Sequence, residues 1–152
     1  LFSCKEEVRQ EKTYNNNDQA VLVFPDTVYI NEEYNGKIEY KSDLDTITTG
    51  FDDVKKARFL FYSFLTTDNK NYGDEHLKKI VKDTFVAETH RVIPLYKIKF
   101  DKLGLNYFDG IITDEVMIEN GMKNKMGESK TRIITHQTRL TRGVYVINKN
   151  PR

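Results

Sequence analysis

Ala57-Arg58-Phe59-Leu60-Phe61-Tyr62-Ser63-Phe64-Leu65 decides the fold class. The run is strand-length, rich in aromatic side chains that suit a pleated surface, and apolar on both faces. A strand apolar on both faces is one covered on both sides, so it predicts a central strand of a sheet. The run holds Arg58 and falls well short of the roughly 20 apolar residues that span a bilayer.

Upstream, Val21-Leu22-Val23-Phe24 is a short apolar run closed by Pro25, which marks an edge or a break. Asn35-Gly36 is a hairpin signal between Thr27–Ile30 and Lys37–Lys41. The second segment alternates, with Ile38 and Tyr40 facing inward and Lys37, Glu39 and Lys41 outward. Leu44–Thr49 reads as extended, and Phe51–Lys56 as a loop with paired acids. Downstream, His76–Lys82 is the one predicted helix, with Leu77, Ile80 and Val81 on one face and Asp74 as its cap. Thr84–Glu88 and Arg91–Phe100 follow as strands. Tyr96, Ile98 and Phe100 alternate against Lys97, Lys99 and Asp101, and Pro94 marks an edge or bulge. Gly104–Ile112 reads as a strand broken near Asp109-Gly110, with Glu115–Glu119 beyond it. Thr131–Leu140 and Val144–Asn148 read as a last pair joined around Arg142-Gly143. About eight or nine short strands at spacings near 8–12 residues predict an all-β antiparallel sandwich with at most one short helix.

The segment Gly36-Lys37-Ile38-Glu39-Tyr40 and the later aromatic strands resemble immunoglobulin-like modules of bacterial envelope proteins. That resemblance implies an immunoglobulin-like sandwich and carries no function with it.

The 152 residues fit one domain, here residues 20–152, preceded by a segment over residues 1–19. Nine tyrosines and nine phenylalanines offset a hydrophobic content of only 38%, because each ring buries a large area. The 24 basic and 23 acidic residues are interspersed and leave a net charge of +1, which argues against a nucleic-acid partner. A single cysteine makes neither an intrachain disulfide nor a cysteine-based zinc site.

That cysteine stands in Leu1-Phe2-Ser3-Cys4, which resembles the lipobox of bacterial lipoproteins. The resemblance implies that Leu1, Phe2 and Ser3 end a signal peptide and that Cys4 is lipidated. Phe2 is bulkier than the residue usual at its position. Lys5-Glu6-Glu7 directly after the cysteine resembles the surface-export tag of Bacteroidota lipoproteins, which implies the outer face of the outer membrane, with the periplasmic face as the alternative. Competing readings are an unreactive cysteine and ordinary solvated charge. Residues 5–19 are polar and without apolar period, which predicts a flexible tether of roughly 20 Å reach, with a helical start at Glu6–Thr13 as the alternative.

Candidate sites are few. His76, His90 and His136 show no metal-ligand spacing, and Asp43, Asp45, Asp52 and Asp53 match no calcium loop. Asp109, Asp114 and Glu115 are nominal acid–base partners that nothing selects. No nucleophile motif or phosphate-binding glycine loop occurs. Phe59–Phe64 reads as core, with a glycan- or peptide-binding face as the alternative. Gly121-Met122-Lys123-Asn124-Lys125-Met126-Gly127 reads as a strand-joining loop suited to partner contact. The functional expectation is a non-catalytic lipoprotein, anchored through Cys4, that serves as an accessory or adaptor in an envelope protein complex and needs neither cofactor nor metal. A cell-surface module that binds glycan or peptide is the alternative.

Overall fold

A computed structural model describes residues 6–13, 18–51, 55–123, 127 and 129–149. In chain order its strands are β1 (Glu6–Thr13), β2 (Gln19–Val23), β3 (Thr27–Tyr29), β4 (Glu33–Lys41) and β5 (Lys56–Thr67). The helix α1 (Asp74–Ile80) follows, and then β6 (Asp83–Val86), β7 (Val92–Lys99), β8 (Gly104–Lys123) and β9 (Ser129–Ile147). The protein is thus mostly β with one α-helix among the described residues. The larger sheet runs β1-β9-β8-β5-β6, with β3 also on β9, and curls into a half-barrel; the smaller runs β2-β4-β7. Antiparallel pairing was expected throughout. It holds within β2-β4-β7 and from β9 to β6, whereas β1 and β3 run parallel to β9.

Strand parity builds the core. On β5 the even residues Leu60, Tyr62 and Phe64 are buried, and on β8 Phe108 and Ile112 join them. These meet Ile38, Ile93 and Leu95 of the smaller sheet in one cluster. Phe24, Phe64 and Phe100 surround Phe108 with ring centroids 4.9–5.8 Å away, in edge-on or tilted geometries that favour aromatic contact. Ile38 and Tyr40 face inward as their alternation predicts. On the outer face Leu77 of α1 packs with Leu65 and Ile111.

Several local expectations are corrected. Asn35-Gly36 makes no hairpin. It lies inside β4, where a Cβ on Gly36 would stand 2.6 Å from the Val23 carbonyl oxygen, and Asn35 Oδ1 accepts the Lys97 N–H at 3.0 Å. The turn falls earlier, at Asn31 with φ 62°, and β3 leaves β4 to pair with β9. Lys97, at φ 53°, inserts an extra residue into β7, so that Leu95 and Ile98 are both buried and Tyr96 faces out. Leu44–Thr49 begins as a 3-10 turn, Asp43–Thr46, because Ser42 and Asp45 form a capping box. α1 starts two residues before the expected His76, after Gly73, and Asp74 bonds Arg139 in place of capping. Neither Asp109-Gly110 nor Arg142-Gly143 breaks its strand: β8 and β9 pair across both. The segment expected to be a tether contains β1, which lies along Ser129–His136; its backbone bonds to β9 need no apolar periodicity of their own.

Candidate functional site

Two features of the larger sheet stand out, one on each face. On the inner face, the parity that buries Leu60 also turns Arg58 inward. Arg58 Nε and Nη2 donate to the two carboxylate oxygens of Asp114 at 2.9 and 2.7 Å, and Nη1 donates to Asp45 Oδ1 and the Thr48 carbonyl, both at 2.8 Å. Neither the Arg58 nor the Asp114 side chain is exposed at all. Burial works against the Arg58 charge, yet the bonds to Asp114 outweigh it and hold the guanidinium above its ordinary basicity. Tyr40 OH reaches Asp114 Oδ2 at 2.9 Å and Asp18 Oδ2 at 3.3 Å, and His136 Nδ1 meets the same Asp18 oxygen at 3.0 Å. A phenol has one proton to give, and the shorter contact assigns it to Asp114. Burial, and then the Asp114 charge, push the Tyr40 hydroxyl far above the usual phenol range. The network therefore clamps β4 of the smaller sheet to β5, β8 and β9 of the larger. Its members Asp18, Tyr40, Arg58, Asp114 and His136 are all buried, and Asp18 Oδ1 is left without a hydrogen-bond partner among the described residues.

On the outer face, a groove of about 640 Å³ lies between Phe51, Phe59, Phe61, Val86 and Met117, with Thr113, Glu115 and Arg58 as the polar residues along it. Phe59 is 49% exposed and Val86 66%, so this is apolar surface left in water beside the core. Its volume lies within the ordinary range of ligand pockets.

Of the sequence-derived candidates, Asp45, Asp114 and His136 come together in the buried network, and the others are dispersed. Cys4 and Lys5 lie outside the described residues. Glu6 and Glu7 open β1, and Met122 and Lys123 close β8. Asn124, Lys125 and Met126 of the expected contact loop lie outside the described residues, as do Asp52 and Asp53. His76 of α1 lies beside Tyr72 with the two rings tilted, His90 sits in the turn before β7, and His136 is buried in β9. No group of three metal-ligating side chains converges among the described residues. Asp109 and Asp114 fall on opposite faces of β8, each held by its own arginine, Arg139 and Arg58. Glu115 accepts from Thr135 Oγ1 at 2.9 Å. The aromatic run Phe59–Phe64 divides: its even residues are core and its odd members line the groove. The signal for both features was that parity, applied residue by residue. No helix among the described residues is long and apolar enough to cross a membrane.

The chain matches no protein family, and neither the curated proteins nor the solved structures show a significant similarity to it.

Proposed function

We propose that this chain is a non-catalytic binding domain of a bacterial envelope lipoprotein, an adaptor that holds a protein partner in its outer-face groove. The exposed apolar groove of Phe51, Phe59, Phe61, Val86 and Met117 carries the reading. A surface of this kind marks a place that is covered when the protein works. Lipidation at Cys4, with Lys5, Glu6 and Glu7 as export signal, supplies the address: the outer membrane of a Bacteroidota cell, facing outward. The two facing sheets are in this reading a modified immunoglobulin-like sandwich. The near-neutral charge supports a protein partner over a nucleic acid. Of the two ligand classes open to a surface module, the groove favours peptide over glycan, because its lining is mainly apolar and its polar members are only Thr113, Glu115 and the inward-turned Arg58.

Two measurements test this reading. Mass spectrometry of the native protein is expected to find acyl mass on Cys4; an unmodified thiol sinks the anchor. A photo-crosslinking residue in place of Phe59 is expected to capture one stoichiometric partner, and Val86→Asp to abolish the adduct. The same label at Leu105, exposed on the other end of the sheet, is expected to capture none. Equal capture from both positions sinks the groove.

A further inference from the structure

We propose that the outer-face groove selects its partner by charge as well as by apolar surface. The occupant is a protein segment whose apolar side chains flank one lysine or arginine, and Glu115 is the residue that selects the basic one. This rests on the binding reading above and specifies the chemistry of the partner.

Of the residues along the groove, only Arg58 and Glu115 ionise. The Arg58 side chain is turned to the other face of the sheet, where it is wholly buried against Asp114. Glu115 is therefore the one ionisable side chain left to the groove. The register encloses it: Phe59 of β5 stands directly opposite on one side and Thr135 of β9 on the other. Thr113 and Met117, two residues away along β8, share its face. Glu115 Oε2 accepts from Thr135 Oγ1 at 2.9 Å, and among the described residues the carboxylate meets no other donor and no cation.

The occupant follows from complementarity. Phe59, Phe61 and Val86 favour apolar side chains closing over them. A carboxylate has about four lone-pair sites, and one hydroxyl fills only one of them. Glu115 is half-buried, so solvent serves the rest while the groove is open, and an occupant excludes that solvent. A segment apolar throughout would leave the charge with a single hydroxyl and no counter-charge, which opposes binding. A lysine or arginine over Glu115 supplies both the donors and the opposite sign, so the penalty becomes a preference. The aliphatic stem of either residue suits Phe59 and Met117 on the way. The same reasoning rejects an acidic segment, and a neutral glycan brings no cation.

Random peptides displayed on phage are selected in parallel on the full chain and on its Glu115→Gln variant, in which the amide oxygen still accepts from Thr135. The full chain is expected to return apolar peptides with a lysine or arginine at one fixed position, and the variant apolar peptides without that preference. Replacing the basic residue of the best peptide by norleucine is expected to weaken binding to the full chain about tenfold and to leave binding to Glu115→Gln unchanged. Glu88 is an exposed acid beyond Val86 and outside the lining, so Glu88→Gln is expected to keep the preference. Loss of the preference in Glu88→Gln assigns it to the general field of the molecule and overturns the role of Glu115. Phe59→Ser and Val86→Ser remove apolar surface without adding charge, and each is expected to weaken the best peptide. Peptides that respond to these two changes but show no basic position overturn the charge selection and leave the groove standing. Peptides that bind regardless of both changes overturn the groove and the proposed function with it. Selection of no peptide, or a dimer of the chain that Val86→Ser dissociates, overturns the proposed partner. Phe59 and Val86 are 49% and 66% exposed, so neither change opens the core, and the melting temperature of each variant checks this.

Discussion

Arg58 shows how one residue can tie the turn that follows β4 to the inner face of the larger sheet. It interrupts the most apolar run of the chain, yet its side chain is wholly buried and makes four hydrogen bonds. A buried ion pair often contributes little relative to an apolar substitute, but losing one partner leaves a charge stranded. Arg58→Met strands Asp114 and deprives Asp45 of its cation, and is expected to cost about 3–5 kcal/mol. Adding Asp114→Leu is expected to restore much of the loss. Urea unfolding of the two variants checks this; a double variant no more stable than the single one contradicts it. The clamp was legible in part. With Leu60, Tyr62 and Phe64 set inward, period two places Arg58 inward, and Asp114 between Ile112 and Val116 is inward by the same rule. What sequence alone withheld was their meeting. That depends on the register Arg58↔Val116, which sets the two side chains diagonally across β5 and β8, and no local signal specifies it.

At the scale of elements, glycine is an ambiguous signal. In sequence Gly110 reads as a break in a strand; in the structure β8 passes straight through it. A Cβ there would stand 2.5 Å from Phe64 Cβ and closer still to the Ser63 carbonyl oxygen, so the glycine admits the β5 backbone at close range. Gly110→Ala must move one strand from the other and is expected to destabilise by about 3 kcal/mol. Gly143→Ala, whose Cβ would meet nothing nearer than 3.5 Å, serves as the control and is expected to stay close to the parent. Equal melting temperatures for both variants would refute the close-approach account. The same ambiguity explains Asn35-Gly36, where the dipeptide permits both a hairpin and an irregular strand and only the nearness of Val23 selects the latter. Alternation was the reliable signal on β4, where it fixed Ile38 and Tyr40 as inward. It failed at Tyr96, because the extra residue at Lys97 resets the phase. The groove was half visible for a related reason: the run Phe59–Phe64 reads as core with a binding face only as its alternative, and Phe51, Val86 and Met117 reach Phe59 and Phe61 only through the fold.

For the whole molecule, the question is what keeps the two sheets together while an apolar groove stays open on one of them. One buried phenol supplies part of the answer, and a second braces the larger sheet itself. Tyr40 crosses from the smaller sheet to Asp114, while Tyr62 OH donates to the Leu140 carbonyl at 2.9 Å and ties β5 to β9 across β8 within the larger sheet. Burial raises the pKa of both well above the usual phenol value, with the charge of Asp114 adding to it at Tyr40 and that of Asp109 at Tyr62. The consequence for stability has a definite sign. Below pH 10, the ordinary phenol value, both states hold both protons and the stabilisation is complete. Above it the unfolded chain gives up protons that the folded chain retains, so stability falls as pH rises. Each residue contributes up to about 1.4 kcal/mol per pH unit, and the pair about 2.7. Urea unfolding from about pH 9 to about pH 11 is expected to show this loss, and replacing both with phenylalanine is expected to flatten it by that amount. The other tyrosines and the lysines remain in both proteins, so the difference between the two slopes isolates the buried pair. If the slopes coincide, the phenols do not carry the alkaline limit, and the sheets are held by the apolar core and the arginine clamp alone.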